Sequence, residues 1–535
     1  MENRGKLELT WVDKYNRKKI EPRILIEDKE KSYGDINSRN ILIHGDNLLA
    51  LKSLQNDYSG KIKCIYIDPP YNTGNAFEYY DDELEHSIWL NMMRDRLELL
   101  KDLLTEDGFI CVHIDNSEGE YLKVLLDEIF GRKNYKVTFY IQVRYPEKTL
   151  KQDMDYHKLI EQVHVYSKSE KSKPNLPKAE YSYDKFEWYI ETKEPFKEIV
   201  LGGKKVEIYN EKNYKIKKGN GSINGLKEIW ASGSILDGNS SGRFFRDYLS
   251  GRQEEDGLKI LYKVYGIGDD MNDYRYFTGP KKETATRGKY YQGVPVDNIE
   301  SEKNQKNLPI SNYIDLASYF GNCRHEGGVE FKSGKKPEIL IKMFLELFSN
   351  KGDYVLDSFA GSGTTAAVAH KMERNWITIE LGEHCYTHTS KRLINVINGD
   401  KTGISDVVNW NGGGGFKFYE LGESLMVKDE KLGTYIINPK YSPEMICRAI
   451  CKIEEFTFLP RGHFHGYSSE KRFIHITTNF LNQKYIEMLR NELSEEESLL
   501  VYCTRMQSSI VLPNNIEVKR IPKDLLQKCD FESEE

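Results

Sequence analysis

Ile62-Lys-Cys-Ile-Tyr-Ile-Asp-Pro-Pro-Tyr-Asn-Thr-Gly74 joins a mostly apolar run to a stiff polar turn. Residues 62–67 predict a largely buried strand of a parallel sheet. The two prolines end it, because they cannot donate to a ladder and they force the residue before each into extended geometry. The product is a shelf at the carboxyl end of a strand, where open α/β sheets place their chemistry. It carries one carboxylate, Asp68, one carbonyl on Pro69, whose successor Pro70 has no N–H, and one ring, Tyr71. Such a set suits a flat, amine-bearing base: Asp68 and the Pro69 carbonyl accept from an exocyclic amine while Tyr71 stacks. An ordinary strand-ending turn can have the same four letters, and short patterns recur by chance.

A second stretch, Lys351-Gly-Asp-Tyr-Val-Leu-Asp-Ser-Phe-Ala-Gly-Ser-Gly-Thr-Thr365, predicts a strand at 354–356, a glycine-rich turn at 359–363 and a helix opening at Thr364. Glycines admit a ligand close to the backbone, and a helix start offers free N–H groups. Phosphate is the rival ligand, but no lysine follows the last glycine as it does in a P-loop. Arg374-Asn-Trp-Ile-Thr-Ile-Glu380 then predicts a short strand ending in an acid. Behind such a loop an acid serves a ribose diol; by itself it could be a solvated carboxylate.

Asp68-Pro-Pro-Tyr71 and Phe359-Ala-Gly-Ser-Gly-Thr-Thr365 resemble motifs IV and I of S-adenosylmethionine-dependent DNA amino-methyltransferases, here in β-class order with the catalytic motif first. Leu9–Lys14, Glu21–Asp28, Ile43–Leu51, His86–Leu90, Arg94–Leu97 and Asp107–Asp115 look like the modification subunits of type III restriction–modification systems. The resemblance implies an α/β fold: a Rossmann-like methyltransferase sheet with helices on both faces, an inserted target-recognition domain and a small C-terminal α/β lobe. It implies S-adenosyl-L-methionine as cofactor and methyl transfer to adenine N6 of a base flipped from duplex DNA. N4 of cytosine is the alternative, as is a role chiefly in recognition and recruitment; Asp rather than Ser before Pro-Pro-Tyr favours adenine within the family. Partners implied are double-stranded DNA, a second copy of the chain in a homodimer, and an ATP-dependent helicase–nuclease restriction subunit.

By the same resemblance Asp68, Pro69, Pro70 and Tyr71 are catalytic, with no metal. Asp357, Phe359, Gly361, Gly363 and Thr364 hold the methionine end of the cofactor and Glu380 its ribose. Asp46 stands near its adenine, or else is the N-cap of a helix from Asn47. Lys336, in a motif X-like Lys336-Pro337, closes the pocket or is a solvated side chain. His113 and Asp115 end a strand beside the site and could line it.

Bulk properties bound the rest. The 535 residues exceed one ordinary domain. No apolar run could span a bilayer and no secretory h-region opens the chain, so a cytoplasmic protein is expected. The net charge of −6 weighs little against nucleic acid, since phosphate contacts depend on where cations cluster. Acids concentrate at 81–83, 495–497 and 532–535, read as solvated faces and a frayed end. Cys447 and Cys451, four apart with His463 and His465 following, raise a zinc site, but helical apolar spacing places both thiols on one buried face.

Residues 1–40 are read as an N-terminal arm, 41–168 as the catalytic half of the methyltransferase domain and 326–400 as its cofactor-binding half. Residues 401–535 are read as a C-terminal dimerisation or partner lobe. The Gly412–Gly415 run is read as a turn or interface loop, and Glu517-Val-Lys519 as strand alternation rather than a nuclease core. The Tyr-, Lys- and Gly-rich span 169–325 is read as the target-recognition domain. There Asn239–Arg246, Tyr274–Lys282 and Arg287–Tyr291 interleave cations with aromatics, so Arg243, Arg246, Arg275, Lys281, Lys282, Arg287 and Lys289 are candidate DNA contacts. Solvated β-loops with stacking tyrosines are the competing reading of each stretch.

Overall fold

The computed structural model describes residues 8–72, 85–147, 156–180, 182–231, 240–268, 270–285, 287–296, 305–331, 334–431, 433–469 and 471–531. Thr73 and Gly74 of the shelf, the acidic runs at 81–83 and 532–535, and Asn239 therefore lie outside the described residues. The chain divides into two compact units, one of Met1–Asn175 with Ser311–Glu535 and one of Leu176–Ile310.

The first unit is α/β and is built on a ten-stranded sheet. In chain order its strands are β1 (Leu25–Gly34), β2 (Ile41–His44), β3 (Ile62–Ile67), β4 (Leu104–Ile114), β5 (Tyr135–Gln142), β6 (Ile160–Ser167), β7 (Tyr313–Asp315), β8 (Tyr354–Asp357), β9 (Asn375–Glu380) and β10 (Gly415–Leu421). Across the sheet they lie β1-β10-β2-β9-β8-β3-β4-β6-β5-β7. The centre from β2 to β4 is parallel, and β6 runs antiparallel to β4 and β5.

Burial on both faces explains why the central strands are continuously apolar rather than alternating. On β3, Ile65 and Ile67 pack with Leu51 and Leu54 of α1 (Asn47–Tyr58) and Trp89, Met93 and Leu97 of α2 (His86–Leu103). Tyr66, one residue out of phase, meets Phe344 of α4 (Glu338–Phe348), ring centroids 5.4 Å apart; α3 (Gly119–Leu126) adds Leu122 and Leu125 to the first face. Strand β8 leads through α5 (Thr364–Lys371) to β9 on one side of it, while β3 leads through α2 to β4 on the other. The neighbouring strands β8 and β3 are thus a topological switch point, where the crevice at the carboxyl ends of an open sheet takes ligands.

Two of the expected segments each add a strand to the central sheet. The N-terminal arm supplies β1, paired antiparallel with β10. Strand β10, assigned to the lobe beginning at 401, belongs to the central sheet, paired parallel with β2. The Gly412–Gly414 run turns the chain into β10 with φ of 97°, 112° and 79°. Beyond it, helices at Pro443–Ile453 and Gln483–Asn491 pack on a five-stranded sheet of Thr457–Arg461, Phe464–Ser469, Arg472–Leu481, Ser498–Met506 and Ile516–Arg520. Cys447 and Cys451 are buried on the first of these helices with Ile446 and Ile450. Lys519 pairs at 3.0 Å with Glu454.

The second unit contains a six-stranded antiparallel sheet ordered Lys227–Trp230, Lys289–Gln292, Tyr274–Thr278, Leu261–Tyr265, Lys204–Tyr209 and Lys197–Leu201. Phe244 and Phe245, from helical turns at 240–249, cover Val206, Tyr262 and Phe277 on one face. Among the described residues of the chain, no helix is long and apolar enough to cross a membrane.

Candidate active site

The shelf after β3 and the loop after β8 open into one cleft of about 840 Å3, open to solvent and lined by Tyr66, Asp68, Pro69, Pro70, Tyr71, Phe331, Gly334, Lys336, Ile341, Asp357, Phe359, Ala360, Gly361, Ser362, Thr364 and Thr365. Motifs nearly 300 positions apart in sequence meet because β3 and β8 are adjacent parallel strands, Ile65 opposite Leu356.

The shelf is held from behind. Trp89, fully buried on α2, donates its indole N–H to the Pro70 carbonyl at 2.8 Å. Asn72, at a left-handed φ of 56°, donates to Glu118 Oε1 at 2.7 Å. Asp68 Oδ1 is buried with no hydrogen-bond partner among the described residues, while Oδ2 lies 2.9 Å from Lys336 Nζ. The same ammonium sits 4.8 Å from the centroid of the Tyr71 ring and 3.7 Å from Glu161 Oε2.

Glu161, on β6, is a site residue that the sequence argument passed over. Its Oε2 accepts from the Tyr71 hydroxyl at 3.1 Å and lies 2.8 Å from His113 Nε2. His113 Nδ1 in turn meets the Tyr66 hydroxyl at 2.8 Å. Burial alone would raise the Glu161 carboxyl, but Lys336, His113 and Tyr71 outweigh it and hold the group at about 2. The Lys336 ammonium, penalised by burial, is nonetheless raised by Asp68 and Glu161. Burial beside these carboxylates keeps the Tyr71 phenol well above its ordinary value. The sequence signal for Glu161 was slight: an acid two residues before the buried core of a strand, facing β5 across the ladder.

On the cofactor side, Asp357 is buried and accepts from the Phe359 N–H at 2.9 Å. Burial lifts its carboxyl to about 7, with Asp68 and Glu380 adding to the rise against the bonds from Thr365 and Phe359. Gly363 caps α5 at φ 75°, where a side chain would be strained and a Cβ would also meet Thr389 Cγ2 at 2.9 Å. The Thr364 hydroxyl faces the cleft but accepts from Arg392 at 2.7 Å and donates to the Lys336 carbonyl at 3.3 Å.

Three further expected residues have defined surroundings. Glu380 is buried and does not line the cleft; Gly361 N–H fills one of its oxygens at 2.7 Å, and Leu381 and Gly382 N–H the other at 2.9 and 3.0 Å. Its carboxylate braces the loop. Asp46 caps α1 by accepting from Leu49 N–H at 3.0 Å and pairs with Arg96 at 3.1 Å, away from the cleft lining. Lys336, expected to close the pocket or to be solvated, is buried, lines the cleft and pairs with Asp68 of the shelf. Of the two residues expected to end a strand beside the site, His113 touches it through Glu161, while Asp115 Oδ1 accepts from Ser117 N–H at 2.7 Å.

Beneath the cleft, Glu338 binds Lys371 and Arg392, each at 2.9 Å, and all three side chains are fully buried. Lys371 also reaches Asp400 at 2.9 Å. This cluster ties α4 to α5 and to α6 (Lys391–Ile397).

Within the second unit, Arg243, Arg246, Lys281, Lys282 and Arg287 are exposed, Arg246 pairing with Asp247 at 2.7 Å. Lys281, Lys282, Arg287 and Lys289 line a groove with Trp230, whose side chain is 60% exposed. Lys289 is half-buried against Glu228 at 2.6 Å. Arg275 is corrected: it is 3% exposed and faces the buried Asp270 at 3.7 Å, so it serves the core.

The model of the DNA methylase family of N6 and N4 methyltransferases matches residues 62–391, a span that takes in both motifs. The chain belongs to this DNA methylase family. The methylase is 33% identical over 417 residues to a probable type III restriction–modification enzyme HindVI Mod subunit of Haemophilus influenzae, 72% of this chain and 54% of that protein. It is 29% identical over 384 residues to the StyLTI Mod subunit of Salmonella typhimurium, 65% and 51% of the two chains. With the EcoPI Mod subunit of Escherichia phage P1 it shares 28% over 438 residues, 70% and 63%. The methylase thus spans about half the length of the first two relatives.

Proposed function

We propose that this methylase transfers a methyl group from S-adenosylmethionine to N6 of an adenine flipped out of duplex DNA, as the modification and recognition subunit of a type III-like system. The observation that carries the reading is the single cleft at the sheet's switch point, with amine acceptors on one wall and a glycine loop behind a buried acid on the other. The donor set fits the cofactor: an acid for an ammonium at Asp357, a ring at Phe359, and at Gly361 a residue without a side chain lining the cleft. When bound, S-adenosylmethionine supplies an electrophilic methyl group.

The chain's own groups do the rest. The adenine amine is a poor nucleophile while its lone pair is delocalised into the ring. Asp68 and the Pro69 carbonyl accept its two N–H bonds, which favours a pyramidal nitrogen and supports the positive charge that builds there. Tyr71 stacks on the base, offsetting part of the few kcal/mol that flipping costs. Alignment of amine and methyl group supplies much of the rate.

The exposed cations of residues 176–310 grip phosphates, the 401–535 region dimerises or meets a restriction subunit, and the protein works in the cytoplasm where its DNA is. The test is methylation of unmethylated bacterial DNA by the chain, followed by mass spectrometry of the nucleosides. N6-methyladenine is expected; N4-methylcytosine alone overturns the choice of base, and no methylated nucleoside overturns the reading.

A further inference from the structure

Asp68 and Tyr71, the two groups that the proposed reading gives to the target base, share one partner in this structure. Lys336 Nζ lies 2.9 Å from Asp68 Oδ2 and 4.8 Å from the Tyr71 ring centroid. An ammonium left there would hold Oδ2, one of the acceptor's two oxygens, and the ring face that the base needs. It would also oppose the positive charge that builds on the amine during methyl transfer.

A second carboxylate stands within reach. Glu161 Oε2 is 3.7 Å from the same ammonium, and the Tyr71 hydroxyl and His113 hold it in place at 3.1 and 2.8 Å. A buried lysine cannot lose its partner cheaply, because an unpaired charge out of water is strongly penalised. Here a movement of about an ångström exchanges one carboxylate for the other without leaving the ammonium bare.

We propose that Lys336 gates the base seat: its ammonium moves from Asp68 to Glu161 as the target amine arrives, and Lys336 and Glu161 are the positioning residues of this exchange. The proposal rests on the methyltransferase reading above. Asp68 exchanges an ammonium for amine N–H donors and is never left unpaired. Lys336 stays within reach of both carboxylates throughout. Glu161 acts through Lys336 and touches no reacting atom.

The test is a double-mutant cycle on tritiated methyl transfer to unmethylated duplex DNA, with KM and kcat separated, for wild type, Lys336→Met, Glu161→Gln and the double variant. Glu161→Gln alone leaves the ammonium on Asp68 and raises KM for DNA about tenfold. Lys336→Met alone lowers KM, because nothing competes for the seat. The double variant returns KM toward wild type, which a merely structural role for Glu161 would not produce. A double variant no better than Glu161→Gln, or a Lys336→Met with unchanged or raised KM, overturns the gate. Should Lys336→Met fail to fold by its melting curve, Lys336→Gln takes its place and is judged by the same outcomes. An active wild type with additive variants sinks the gate alone, whereas a wild type that transfers no methyl group sinks the methyltransferase reading and the gate with it.

Discussion

Gly361 donates its backbone N–H to Glu380 Oε2 at 2.7 Å, joining the glycine loop after β8 to the end of β9. The other oxygen takes Leu381 and Gly382 N–H, and His384 Nε2 lies 3.1 Å from it. One side chain therefore shapes the wall of the cleft without lining it. Burial would raise the Glu380 carboxyl, but His384 and the backbone donors bring it below its ordinary value. Glu380→Ala leaves these buried donors unmet, at about 1–3 kcal/mol each. A lowered melting temperature together with weaker S-adenosylmethionine binding by calorimetry is the expected result.

Asp68→Ala removes the charged acceptor from the shelf and leaves Trp89 and Pro70 in place. Loss of a preorganised polar group of this kind costs about 10²–10³ in kcat. Methyl transfer should fall by at least that much while DNA affinity, measured by gel shift, stays near wild type. Equal loss of both would count against separate catalytic and recognition roles.

Asp357 couples the cleft to pH. In the unfolded chain its carboxyl titrates at its ordinary 3.8, in the folded protein at about 7. Between those values the folded state holds a proton that the unfolded state has lost, so stability declines as pH rises across the window. The burial cost is complete above about 7. Binding of an ammonium needs the ionised form, so cofactor affinity should strengthen as pH rises toward 7 and level off there. Asp357→Asn should flatten both profiles, read by denaturant melts and calorimetry from pH 5 to 8.

Glu338 carries two buried cations, Lys371 and Arg392. Removing one partner of a buried ionic cluster costs about 3–5 kcal/mol, because a charge is left uncompensated. Glu338→Ala should therefore lower the denaturation midpoint more than Asp68→Ala does, although Glu338 touches no ligand.

The unit of residues 176–310 separates surface from core. Replacing Lys281, Lys282 and Arg287 with alanine should weaken DNA binding and reduce the slope of log affinity against log salt by about 0.9 for each lost phosphate contact. Melting temperature should barely move. Arg275→Ala should do the reverse, since that guanidinium is enclosed beside Asp270.

The two motifs were readable because each is local: prolines after an apolar strand, and glycines between a strand and a helix, state their geometry within a few residues. Glu161 was not readable, since its role depends on β6 lying beside β4 and on Lys336 arriving from across the cleft. Arg275 misled for a related reason. Its neighbours in sequence resemble a phosphate-gripping loop, but strand alternation turns it into the sheet's interior. Strand β10 was missed because its partner β2 lies more than 370 residues earlier.

Sequence alone determined that a rigid amine-accepting shelf and a glycine-lined cofactor loop exist, because backbone restriction is a property of neighbouring residues. Only the tertiary structure decided who shares the charge of Asp68. Electrostatic partners are set by distance through space: the pairing of β3 with β4 and of β4 with β6 brings His113 and Glu161 to that carboxylate's side, and the pairing of β3 with β8 brings Lys336.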